Sequence, residues 1–131
     1  MTMRKIAVFI LFSLFVQAPI EAAVGLRRFV LVAGANDRGA ERATLRYAVS
    51  DARSFARVLE VMGGVDSADI IVLENPNSEA IDEGLRTLRG RLSALAQPAR
   101  SEIVFYYSGH ADENGLLLGS EHLPYETLRQ Q

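Results

Sequence analysis

Apolar residues along the chain change their period several times, and each change marks an element. Phe29-Val30-Leu31-Val32-Ala33 is an unbroken, largely β-branched run that ends in the turn-rich stretch Gly34-Ala35-Asn36-Asp37-Arg38-Gly39. A short apolar run bounded by turn residues suits a strand buried on both faces. From Leu45 the period lengthens. Leu45, Ala48, Val49, Ala52, Phe55, Ala56, Leu59 and Met62 recur at spacings of three and four, with Arg46, Arg53, Arg57 and Glu60 between them. This predicts an amphipathic helix stopped by Gly63-Gly64. Ile70-Ile71-Val72-Leu73 predicts a second buried strand. Asn75-Pro76-Asn77-Ser78 then reads as a turn and helix cap, with Asp82-Glu83 early in the helix that follows. Its inner stripe is Ile81, Leu85, Leu88, Leu92 and Leu95, and Pro98 ends it. Ile103-Val104-Phe105-Tyr106-Tyr107 predicts a third strand. Leu116–Leu118 and Glu121–Leu123 form a hairpin around Gly119-Ser120, and Pro124–Arg129 opens another helix.

Strand, helix, strand, helix, strand implies an α/β fold: a parallel sheet with right-handed crossovers and helices on both faces. The stripes through Phe55, Leu59 and Leu85–Leu95 are core rather than cofactor boxes. A helix that opens at Pro124 leads one to expect a further strand, so the domain reads as incomplete at its C-terminal end.

The first residues follow a different pattern. Met1–Lys5 carries two positive charges. Ile6–Val16 is then apolar except for Ser13, too short for a membrane span of about 20 residues. Ala18-Pro19 and Glu21-Ala22-Ala23 supply a helix break and small residues for cleavage. The expectation is a signal peptide over residues 1–22 and an exported domain over 23–131. Membrane contact would then arise only through an uncleaved signal. Periplasm, cell surface and medium are equally compatible with it.

Composition narrows the chemistry. Fourteen basic residues face 16 acidic ones, a formal charge of −2, so no basic footprint for nucleic acid is present. Lys5 is the sole lysine, which removes P-loop and Schiff-base chemistry from the rest of the chain. The sequence contains no cysteine. That excludes disulfides, thiolate metal sites and a thiol nucleophile within these residues.

Ligands of an open parallel sheet bind beyond the carboxyl ends of its strands. Those ends carry Gly34–Gly39, Glu74–Ser78 and Ser108–Gly115. His110 sits two or three residues past the third strand, behind the tight turn Ser108-Gly109, where an imidazole is presented for proton transfer. Ser108 lies too close along the chain to face His110 as a nucleophile. Gly34–Gly39 is not a G-x-G-x-x-G fingerprint, and Glu74 lies too far away to serve as its ribose-binding acid. His110, Asp112 and His122 are the only residues that offer themselves to a metal. A hydrolytic site needs three ligands with outer-shell support, and the hairpin's orientation is not known from sequence, so no metal and no cofactor is assigned.

Tyr106-Tyr107-Ser108-Gly109-His110 resembles the Y-S-G-H-G segment of the caspase-like cysteine peptidases, the caspases, metacaspases and their bacterial relatives. Phe29–Asp37 resembles that family's opening strand ending in G-x-N-D. Leu45–Ala52 resembles the L-x-x-A-x-x-D-A start of its first helix. Gly115–Leu118 followed by Leu123-Pro124-Tyr125 resembles the hairpin and helix after its histidine. The likeness covers about Arg28 to Leu128. It implies a three-layer, flavodoxin-like sheet, a peptide or protein substrate, and His110 as the general base of a Cys–His dyad. It further implies that the backbone N–H of the residue after the histidine, here Ala111, helps to hold the oxyanion. Asp51 matches by position the acidic residue that selects a basic side chain before the cleaved bond in metacaspase-like members. The alternative is that Asp51 supports the Gly34–Gly39 loop. Asn36 and Asp37 read mainly as loop-shaping residues.

Two departures stand out. Ala111 replaces a usual glycine, which would be strained only at a positive φ. The family's cysteine lies in a D-x-C-x-S-G-like turn about 50 residues after the histidine, whereas 21 residues follow His110. Two expectations result. One is the histidine-bearing part of a cysteine endopeptidase that is inactive without a thiol from elsewhere. The other is a non-catalytic module that pairs the open edge of its third strand with a partner strand or a second copy.

Overall fold

The computed structural model describes residues 25–37, 39–40, 42–95 and 100–131. The signal peptide expected over residues 1–22, and Pro98, lie outside the described residues. Strand β1 (Arg27–Gly34) is followed by helix α1 (Ala48–Val61), a single 3-10 turn (Ser67–Asp69), strand β2 (Ile70–Glu74) and helix α2 (Ser78–Ser93). Then come strands β3 (Ser101–Ser108), β4 (His110–Ala111), β5 (Gly115–Leu118) and β6 (Glu121–Pro124), and the short helix α3 (Tyr125–Arg129).

The first three strands form one parallel sheet in the order β2-β1-β3. Central β1 explains its own sequence: Phe29 through Ala33 are all fully buried, because both faces of the strand are covered. Alternation divides the core. Phe29 and Leu31 face α2, where they meet Ile81, Leu85 and Leu88. Val30 and Val32 face α1, where they meet Ala52 and Ala56. Each fully buried Leu, Ile, Val or Phe contributes on the order of 2 kcal/mol by leaving water. The small stripe Ala48, Ala52 and Ala56 lets α1 lie close on the sheet. Phe55 stacks on Tyr106 at 4.1 Å between ring centroids, fastening α1 to β3.

The flanking strands correct the expectation of full burial. β2 and β3 are only half-buried, and Val72 is exposed, because each lies at an edge of the sheet among the described strands. Helix α1 also departs from its predicted ends. It starts at Ala48, with Tyr47 as its cap, so Leu45 precedes it. Met62, placed by periodicity on the inner stripe, is 81 % exposed just past the last turn. Gly64, at φ +65°, then turns the chain away. Asn77 caps α2 as expected, its Oδ1 accepting from the Ala80 N–H at 2.9 Å.

The hairpin is real and larger than expected. β4 pairs with β5, and β5 with β6, in an antiparallel sheet of order β4-β5-β6. Leu116, Leu118 and Leu123 bury one of its faces against the α2 side of the core. The opposite end of the parallel sheet is tied by the nearly buried Asp69, which accepts from Arg27 at 2.8 Å and 3.1 Å.

Candidate functional site

The parallel strands end together, so the β1–α1 loop, the β2–α2 turn and the β3–β4 bend share one edge. Asn36 joins the first two. Its N–H donates to Asn75 Oδ1 at 2.9 Å, and its own Oδ1 accepts from the Val49 N–H at 3.1 Å at the start of α1. Its carbonyl accepts from the Leu45 N–H at 3.1 Å, which closes the loop on itself. The loop-shaping role read for Asn36 is therefore met by three hydrogen bonds. Among the described residues no side-chain hydrogen bond runs from Asp51 to this loop, which is held by Asn36, by the Ala35 N–H donating to the Ser108 carbonyl at 2.9 Å and by Arg42.

His110 opens β4 directly after the bend. Its Nε2 lies 2.8 Å from the Ala43 carbonyl oxygen in the β1–α1 loop. A carbonyl oxygen only accepts, so Nε2 carries the hydrogen and Nδ1 of the neutral ring is left as the basic nitrogen. One ring nitrogen is thus fixed by the fold, and among the described residues the other has no hydrogen-bond partner.

Tyr107 braces the bend from beneath. Its hydroxyl lies 3.0 Å from both the His110 and the Leu117 carbonyl oxygens and shares its one proton between them. Burial pushes this phenol up to about 12, so it stays a neutral donor.

Ala111 pairs with Leu116 in the β4–β5 ladder. The adjacent bonded position is marked by the Asp112 N–H donating to the Gly115 carbonyl at 3.0 Å. Bonded and non-bonded pairs alternate in an antiparallel ladder, so the Ala111 N–H points away from β5 and is free of it. Ala111 is exposed and does not have a positive φ, so alanine carries no backbone strain here.

Asp112 closes the β4–β5 turn. Its Oδ1 accepts from the Asn114 N–H at 2.8 Å and the Gly115 N–H at 2.9 Å, and His122 Nε2 lies 3.2 Å away. The Asn114 N–H, then His122 and the Gly115 N–H, hold the carboxyl below its usual range. Asp112 and His122 therefore meet, while the His110 Nε2 is directed to Ala43. Among the described residues no three His, Cys, Asp or Glu side chains form a metal-sized cluster. Asp51 is exposed on the first turn of α1, at the same sheet edge as His110. Among the described residues no hydrogen bond joins the two. Glu74, at the end of β2, is held ionised by Arg53, whose guanidinium lies 2.6 Å and 2.5 Å from the two carboxylate oxygens.

Two contributors escaped the sequence reading. Ala43 acts through a backbone carbonyl, which leaves no side-chain signal. Tyr107 read as strand core, although a buried tyrosine usually directs its hydroxyl to a partner.

The family model described as the caspase domain matches residues 27–130. The match spans every helix and strand of the described fold and the whole of this edge. A search of curated proteins found no match.

Proposed function

The chain belongs to the caspase domain family, and on that premise we propose that it is the histidine-bearing part of a cysteine endopeptidase acting on peptide or protein substrates. The observation that carries the reading is the hydrogen bond from His110 Nε2 to the Ala43 carbonyl, which leaves Nδ1 as the base. In this mechanism Nδ1 takes the proton of a cysteine thiol. The thiolate sulfur attacks the scissile carbonyl carbon, and the C=O electron pair moves to oxygen. The Ala111 N–H donates to that oxyanion. When the tetrahedral adduct collapses, the C–N bond breaks and the imidazolium gives its proton to the departing amine. Water, deprotonated by the same nitrogen, then hydrolyses the thioester. Asp51 selects a basic side chain before the cleaved bond through charge.

None of the 131 residues is cysteine, so the thiol comes from outside them. The first test is to read the coding sequence past codon 131 for an in-frame cysteine turn and to weigh the expressed protein. The second is His110→Ala in the thiol-bearing protein, which should abolish turnover while the fold is kept; unchanged turnover would sink the assignment. The same mass measurement tests export, which the charged, apolar and small-residue order of residues 1–23 supports: loss of about the first 22 residues is expected.

A second reading is a non-catalytic module acting through the β3 edge. It is favoured by the half-buried state of β3 and by a groove of about 330 Å³ beside it, lined by Leu85, Arg89, Ile103, Phe105, Leu128 and Gln131. Such a module would sediment as a dimer or with a bound strand; a clean monomer counts against it.

A further inference from the structure

We propose that Arg42 is a positioning residue, which holds the Ala43 carbonyl against His110 by clamping the β1–α1 loop to the β5–β6 turn. The proposal rests on the reading of His110 as the proton-transfer residue.

Arg42 Nη2 donates to the Gly119 carbonyl at 2.7 Å, in a part-buried position. The two backbones also touch. Gly39 and Gly119 both take the left-handed conformation, at φ +60° and +57°. A Cβ on Gly39 would stand 2.4 Å from the Gly119 oxygen and 3.2 Å from Arg42 Nη2, so only glycine lets the loop pass beneath the guanidinium. The same cation lies near the Tyr107 hydroxyl, where it opposes the effect of burial on that phenol. That hydroxyl reaches the His110 and Leu117 carbonyls at 3.0 Å. One side chain therefore binds the β5–β6 turn and stands beside the residue that braces the histidine bend.

The loop's ends are already fixed by the bond between Leu45 and Asn36. Arg42 and Ala43 lie between these two residues. Anchoring the Arg42 side chain restrains the next peptide, whose oxygen must stay within hydrogen-bond reach of His110 Nε2. Loss of the Ala43 contact would let the ring turn or change tautomer, and Nδ1 would no longer be the nitrogen presented as base.

The test follows the imidazole itself. The protein, expressed from its full coding sequence and labelled with ¹⁵N, is observed by NMR at alkaline pH, where imidazole is neutral. His110 in the natural protein should show the Nε2-protonated tautomer. Arg42→Gln should give a mixture of tautomers, and Arg42→Lys, which can still donate to the Gly119 carbonyl, should restore the single form. Gly39→Ala pushes loop and turn apart with Arg42 in place and should reproduce the mixture, so the proposal stays testable if Arg42→Gln does not fold. In the thiol-bearing protein, Arg42→Gln should lower kcat by about 10–100-fold with KM little changed, the cost of a misplaced catalytic group. An unaltered tautomer in folded Arg42→Gln overturns the proposal. If His110→Ala leaves turnover intact, the peptidase reading fails instead, while the tautomer result still judges the clamp.

Discussion

Substitution of Gly109 by alanine probes how tightly the histidine bend is built. A Cβ at this position would stand 2.2 Å from the Tyr107 hydroxyl oxygen, 2.4 Å from Cζ and 3.0 Å from Cε1. Non-bonded carbon atoms prefer about 3.5–4.0 Å, so ring and backbone must part by about 1 Å. The ring has little room to yield. Its hydroxyl is held at 3.0 Å from the His110 and Leu117 carbonyls, and the ring packs against the core on the α2 side of the sheet. Forced overpacking of this kind costs about 1–3 kcal/mol. For a domain of this size that lowers Tm by roughly 5–15 °C. Thermal and urea unfolding of the natural protein, Gly109→Ala, Tyr107→Leu and the double variant would complete a cycle. Gly109→Ala should cost much less in the Tyr107→Leu background than beside the natural tyrosine, because the clash is with the phenol. Equal costs in both backgrounds, or a Gly109→Ala variant as stable as the natural protein, would refute the reasoning.

Other expectations follow from particular contacts. Ile81→Ala opens a cavity at a fully buried position between α2 and β1 and should cost about 2–5 kcal/mol by urea unfolding. Val58→Ala on the half-exposed side of α1 should stay within about 0.5 kcal/mol in the same assay. Asn36→Ala removes the acceptor for the Val49 N–H and should cost about 1 kcal/mol, with hydrogen exchange accelerated at Val49. Asp112 is held below its ordinary 3.8 in the fold, so its stabilisation is full above that pH and is lost as the pH falls through the lower folded value. Asp112→Asn should therefore flatten the acid limb of the stability curve, and an identical acid limb in the variant would count against the assignment.

Much of the fold was legible because its burial is periodic. The apolar run of β1 reports a strand covered on both faces, and the spacing from Ala48 to Ala56 reports a helix covered on one. The errors lie where burial depends on neighbours that local sequence does not name. β2 and β3 carry runs as apolar as β1, yet at the edges of the described sheet they are only half covered. Met62 keeps the helical period one residue beyond the helix, where the chain has already turned outward. The site divides along the same line. His110 announced itself by a reactive side chain at a strand end. The Ala43 carbonyl, the orientation of the Ala111 N–H and the reach of Arg42 to Gly119 are properties of backbone path. They become visible only once loop and hairpin are placed together.

On the proposed reading, His110 is oriented for proton transfer before any thiol is in place. Among the described residues, the groups that orient His110 come from the β1–α1 loop, the β3–β4 bend and the β4–β5–β6 sheet. The three hairpin strands pair locally, long-range bonds from Arg42 and to the Ala43 carbonyl tie the β1–α1 loop to them, and Leu116, Leu118 and Leu123 seat them on the core. A general base contributes about 10²–10⁴-fold to a rate, and only to a nucleophile within hydrogen-bond reach. Fixing Nε2 to a backbone carbonyl therefore does nothing for catalysis by itself. In the proposed mechanism its effect would be to define where a thiol has to arrive: opposite Nδ1, on the side where the Ala111 N–H faces away from β5. A nucleophile carried on a strand paired with the open edge of β3 would lie about 4.8 Å across the sheet from it, close enough for its turn to meet the histidine. If the proposed reading holds, the β3 edge, open among the described strands, and Nδ1 pose one requirement that a single added strand bearing a thiol at its carboxyl end would meet.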